Sequence, residues 1–168
     1  MAAVTAAMVK ELREQTGLGM MDCKKALTEA NGDMEAAIEA LRQSSALKAA
    51  KKADRTASEG LLALRVADDG SHAVLVEVNI ETDFAARNEK FIAFVKRVCE
   101  RAFEQRGADL ATLLAGGLDG ERETLVQEIG ENVAVRRIAR LDSPGGSIAS
   151  YMHADNRKAA LVALMGGD

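Results

Sequence analysis

At Ser58 the spacing of apolar residues changes from steps of three and four to steps of two, and this change constrains the fold more than any other feature. A chain that starts with helical periodicity and then alternates is neither all-helical nor all-strand. The pattern predicts an α+β fold: a small helical bundle, then a linker helix, then an antiparallel sheet packed with helices.

The first forty-odd residues read as short helices. Thr5 is placed to cap the first, with Met8, Val9 and Leu12 as its stripe, and Gly17-Leu18-Gly19 ends it. The second carries Met20, Cys23, Leu27 and Ala30 on one face. Asn31-Gly32 stops it, and Asp33 caps a third helix whose face holds Met34, Ala37, Ile38 and Leu41. Helices this short cannot bury their stripes singly, so residues 1–45 are expected to form a bundle. Residues 46–57 are rich in alanine and lysine and read as a solvated linker helix. Its Lys48, Lys51, Lys52 and Arg55 also offer a patch for an acidic partner.

Residues 58–141 read as a core subdomain. Leu62, Leu64 and Val66 share one face of a strand, and Asp68-Asp69-Gly70 supplies a hairpin turn. The return strand places Val74, Val76, Val78 and Ile80 on one face, with Leu75, Glu77 and Asn79 on the other. A long helix aligns Phe91, Phe94, Val95, Val98 and Ala102. A short helix with Leu110, Leu113 and Leu114 closes at Gly116-Gly117, and another runs to about Ile129. Gly130-Glu131-Asn132 then turns the chain into a strand over 133–141. Residues 142–168 begin a second core subdomain, with a hairpin pairing about 148–152 with 159–164. Two strands alone are marginal in water. The stop at Gly166-Gly167-Asp168 therefore carries the expectation that further chain or a partner covers this hairpin.

Composition narrows the function. A net charge of −4 and a pI near 5.3 argue against nucleic acid as a direct ligand. Cys23 and Cys99 form no C-x-x-C pair and read as buried thiols in a reducing compartment. Met1-Ala2-Ala3-Val4-Thr5 shows no secretory pattern, and no apolar run approaches the ~20 residues of a membrane span. A cytoplasmic, membrane-free protein is expected. No phosphate-binding loop, metalloprotease or serine-hydrolase motif occurs, and His72 and His153 are too few for a metal cluster. The expectation is a protein that is not an enzyme and holds no metal or cofactor.

Three features remain as contacts. Met20 and Met21 open a helix side by side and cannot both face inward, so one is expected to be an exposed, adaptable contact. Arg136, Arg137 and Arg140 decorate a strand and predict at least one ion pair within the fold. Phe84 follows Thr82 and Asp83, which can cap a helical turn. Spacing alone puts it two turns before Phe91 on the same face, in the core.

Four segments resemble the elongation factor Ts family in order along the chain. They are Gly17 through Leu27 (GLGMMDCKKAL), Thr82 through Asn88 (TDFAARN), Ile129-Gly130-Glu131-Asn132 with Arg136-Arg137, and Tyr151 with His153 and Arg157. The resemblance implies a guanine nucleotide exchange factor that binds elongation factor Tu in its GDP-bound and nucleotide-free states. Residues 1–45 are then similar to ubiquitin-associated domains, and Arg13, Met20 and Met21 dock on the GTPase's nucleotide domain. Thr82, Asp83, Phe84 and Ala85 become the element that displaces Mg²⁺ in the partner, with Phe84 a wedge facing outward. Ile129, Gly130, Glu131 and Asn132 lie against the same domain, and His153 approaches its phosphate-binding loop. Ala85 stands where the family usually has valine, Ala154-Asp155-Asn156 where it is often glycine-rich, and longer members continue with further helices. The competing class is an adaptor whose helical module binds ubiquitin-like folds or peptides.

Overall fold

The computed structural model describes residues 4–165, so the expectations on Met1-Ala2-Ala3 and on Gly166-Gly167-Asp168 fall outside the described residues. The chain runs α1 (Ala6–Thr16), α2 (Met20–Glu29), α3 (Met34–Ala50), β1 (Glu59–Val66), β2 (His72–Ile80), α4 (Asp83–Ala86) and α5 (Glu89–Glu104). It continues with α6 (Leu110–Leu113), a wide turn over Leu114–Leu118, α7 (Asp119–Ile129), β3 (Val133–Asp142), β4 (Ser147–Met152) and β5 (Ala159–Leu164). Strands β1-β2-β3 form one antiparallel sheet and β4-β5 a second. This is the α+β architecture that the change of period predicts.

The helical module forms as its signals dictate. The Thr5 hydroxyl accepts from the Met8 N–H and Asp33 from the Ala36 N–H, while Gly17 takes the left-handed conformation (φ 72) that ends α1. Val9, Leu12, Leu18, Cys23, Leu27, Ala37 and Leu41 make the module's core. Met20, expected on the buried stripe of α2, is instead exposed. A helical side chain lies over the turn before it, and the first residue of a helix has none to cover.

No separate linker helix exists. Gln43-Ser44-Ser45 does not stop α3, which continues to Ala50. Ser45 and Ala49 are buried, and the Ser45 hydroxyl donates to Gln127 Oε1 of α7 at 2.6 Å. Three of the four basic side chains are tied to the rest of the fold, and Lys51 is exposed. Lys52 donates to the Gly130 carbonyl (2.6 Å), Lys48 pairs with Asp22 (3.7 Å) and Arg55 with Glu81 (3.6 Å).

The larger core lies between the first sheet and helices α5 and α7. Phe91 and Phe94 are fully buried with Val74, Val76, Val78, Ile80, Val98 and Val126. Each such side chain contributes about 1.5–3 kcal/mol by leaving water. Leu61 and Ala63 are the β1 residues on this core, because they pair with Val78 and Val76 and share their face. Leu62 and Leu64, opposite Glu77 and Leu75, lie on the outer face. At the free edge of β1 the Leu62 N–H donates to the Asn156 carbonyl at 2.7 Å, joining the β4-β5 turn to the first sheet. The predicted arginine ion pair forms on β3, where Arg137 reaches Glu77 at 2.6 Å and Arg136 at 3.8 Å. Burial pushes the Cys99 thiol up to about 11, so it stays protonated and unreactive.

Candidate partner-docking site

The site begins where the sheet ends. Ile80 and Val133 are the last backbone pair of β2 and β3. Carrying the same register one and two residues further pairs Glu81 with Asn132 and Thr82 with Glu131, and side chains take over the bonding there. Glu81 Oε1 accepts from the Asn132 N–H at 2.6 Å. Glu131 accepts from the Thr82 N–H at 3.0 Å and from its hydroxyl at 2.7 Å. Asn132 is buried, and its side-chain amide donates to the carbonyls of Ala53 (3.2 Å) and Arg55 (2.8 Å).

Thr82 also caps α4, its hydroxyl accepting from the Ala85 N–H. This four-residue helix buries Ala85 and Ala86, and Asp83 pairs with Arg87 at 3.2 Å. Phe84 points the other way and is 81% exposed. The core position expected from spacing is therefore wrong. The helical phase does not survive from Phe84 to Phe91, because Asn88 has extended backbone angles (φ −65, ψ 130) and starts α5 afresh as its cap.

The tip of the β4-β5 hairpin comes close to this turn. A cleft of about 600 Å³ is lined by Asp83 and Ala86 of α4, by Arg87 just after it, and by Glu59, Asp155 and Arg157. Arg157 pairs with Glu59 at 2.6 Å, which pins the tip to β1. His153 is exposed, with Nδ1 2.8 Å from Asp155 Oδ1. The Arg157 backbone N–H, with His153 beside it, holds the Asp155 carboxyl below the usual aspartate range. Although the turn lacks glycine, it closes because Asn156 adopts the left-handed conformation (φ 54) that asparagine tolerates.

A second exposed area lies on the helical module. Met20 is 58% and Met21 76% exposed, so both face solvent where one was expected. Arg13 and Met20 line a shallow cavity with Gly17, Leu18, Gly19, Lys90 and Glu128; Met21 lies outside it. Leu47 of α3, 65% exposed, was missed by the sequence reading. Its signal was present, a large apolar residue off the Met34-Ala37-Ile38-Leu41 stripe. Tyr151, Val162, Leu164 and Met165 are exposed on the terminal hairpin. Among the described residues no three histidine, cysteine or acidic side chains gather as a metal site, and no helix is long and apolar enough to cross a membrane.

These features define an α+β protein with a three-helix N-terminal bundle and apolar side chains held outward at separate places. The family model for elongation factor Ts matches residues 81–168. The chain is also similar to elongation factor Ts of Teredinibacter turnerae, 56% identical over 98% of this chain and 56% of the relative. The match to that of Hahella chejuensis is 57% over 100% and 58%. The match to that of Arthrospira platensis is 53% over 100% and 70%. The chain therefore belongs to the elongation factor Ts family of translation elongation factors. It spans a little over half the length of the first two relatives.

Proposed function

We propose that this chain is a cytoplasmic guanine nucleotide exchange factor that binds elongation factor Tu·GDP, displaces its Mg²⁺ and promotes GDP release during elongation. The observation that carries the reading is Phe84, a large apolar side chain 81% exposed on a turn that is braced from two sides. Exposing a phenylalanine is unfavourable unless a partner covers it, and a rigid aromatic is an efficient interface anchor.

In this reading Phe84 wedges between helices of the GTPase, and Thr82, Asp83 and Ala85 hold it there. Met20, Met21 and Arg13 dock the helical module, Ile129 to Asn132 lie against the same domain of the GTPase, and His153 reaches toward the phosphate loop. No residue of this chain performs bond chemistry. Mechanism follows from linkage: a factor that binds the nucleotide-free GTPase more tightly than the GDP form weakens GDP binding by the same ratio. The Mg²⁺ belongs to the partner's nucleotide site, and moving it leaves the β-phosphate charge poorly compensated.

The test is stopped-flow release of fluorescent GDP from elongation factor Tu. Acceleration by the chain supports the reading. Release at the intrinsic rate with tens of micromolar chain, roughly the Kd of a weak complex, counts against it. The adaptor reading draws on the exposed Met20, Met21 and Leu47. It predicts binding that is indifferent to Phe84.

A further inference from the structure

We propose that Glu131, although its segment lies against the partner in that reading, acts as a positioning residue that fixes the Phe84 turn through Thr82 and is not itself a partner contact. The effect on exchange rests on the reading above, whereas the effect on the turn does not. Beyond the last backbone pair, Ile80 with Val133, the two strands exchange carboxylates in register. Glu81 crosses to the Asn132 N–H, and Glu131 crosses back to Thr82. The ladder is thus extended by two side-chain rungs.

The rungs are not equivalent. Glu81 is shared with Arg55 and holds a buried asparagine, so it fastens the sheet to the chain after α3. Glu131 makes no ion pair among the described residues, and both its oxygens are committed to Thr82. Those bonds act on the residue that caps α4, whose second position is Phe84. A helix of four residues has no stability of its own, since nucleation is costly and one turn gains little. Its geometry must come from outside, and the charge-assisted bonds of Glu131 supply it at the helix start. The carboxylate also sits beside the positive end of α4, where negative charge is favoured.

Glu131 is therefore a brace for the wedge. Losing Glu131 leaves Phe84 in place chemically but loosely held, and a wedge that has lost its fixed orientation acts less efficiently once docked.

Amide exchange by NMR on the free Glu131→Ala chain tests this first. The Thr82 and Ala85 amides should exchange about 10-fold faster, while Phe94 and Val98 amides keep their protection. Unchanged Thr82 and Ala85 exchange overturns the proposal, whatever happens with the partner. In GDP release, Glu131→Ala should lower the maximal rate about 10-fold and shift the half-saturating concentration less than about 3-fold. Glu131→Gln, which keeps one acceptor for Thr82, should recover part of that rate. In a Phe84→Ala background, Glu131→Ala should add nothing. An equal further loss in that background would make Glu131 a direct contact and overturn the proposal. If the wild-type chain fails to accelerate release, the exchange reading falls while the amide measurement still decides the role of Glu131.

Discussion

Phe84→Ala separates a wedge from a core residue, because the two roles predict opposite outcomes. With 81% of Phe84 in solvent, about a fifth of the side chain is covered in the free protein. A phenylalanine presents about 200 Å², so truncation uncovers about 40 Å² and costs about 1 kcal/mol of stability. For a domain of this size that lowers Tm by about 2–4 °C. Phe91→Ala is the contrast: its side chain is fully buried, and the loss should be about 3–5 kcal/mol. On the partner, removing an interface anchor costs about 2–4 kcal/mol. At about 1.4 kcal/mol per decade, that is roughly 30- to 1,000-fold in exchange efficiency. Thermal melts by circular dichroism and stopped-flow GDP release measure the two sides. The reasoning is refuted by a Phe84→Ala chain that melts far below wild type while its folded fraction exchanges GDP normally.

Further predictions concern other parts of the molecule. Gly60→Ala should cost about 3 kcal/mol or more in urea unfolding, because φ is +143 and an added Cβ would lie 2.1 Å from the Val78 carbonyl oxygen; a loss under about 1 kcal/mol contradicts the β1-β2 register. Asp155, held low by the Arg157 N–H and His153, should stabilise its turn above the ordinary value of 3.8 and lose that contribution as pH falls through its lower folded-state value; an NMR midpoint at or above 3.8 opposes this. Met20→Ala with Met21→Ala should leave Tm within a few degrees but raise the half-saturating concentration about tenfold in GDP release. No change would remove the helical module from the docking surface.

The parts legible in the sequence are those whose signal is local. Caps at Thr5, Asp33 and Thr82 satisfy backbone donors within three residues, so residue type and position suffice. The α5 stripe is read from spacing because one uninterrupted helix keeps its phase. Phe84 was misplaced by the same rule, since Asn88 resets the phase and spacing carries no information across the break. Strand β1 shows a different limit. Leu61, Leu62, Ala63 and Leu64 are apolar on both faces, and only the register with β2 decides that Leu61 and Ala63 meet the core. The end of α3 failed for a third reason: alanine and lysine read as solvated until α7 is known to lie against Ser45 and Ala49. The carboxylate exchange of Glu81 and Glu131 needs the β2-β3 register as well, so sequence could flag both motifs but not their contact.

The same end of α7 also fixes the second docking surface. Gln127 accepts from Ser45 at 2.6 Å and donates to Asp22 of α2 at 3.3 Å. Glu128 pairs with Lys90 at 2.7 Å and packs beside Gly17, where an added Cβ would come within 3.0 Å of its carboxylate. Two residues later Lys52 holds the Gly130 carbonyl, Glu131 bonds Thr82 at the start of the Phe84 turn, and Asn132 holds the chain after α3. Five of the six positions from 127 to 132 thus tie the helical module and the wedge to the end of α7 and the turn that follows it. On the proposed reading this has an energetic consequence. Once Met20 and Met21 engage the partner, Phe84 is already oriented, so the second contact loses little translational or rotational freedom. More of the interface energy then remains to distort the partner's nucleotide site. A flexible joint between module and core would keep both contacts but spend that energy on ordering the factor itself.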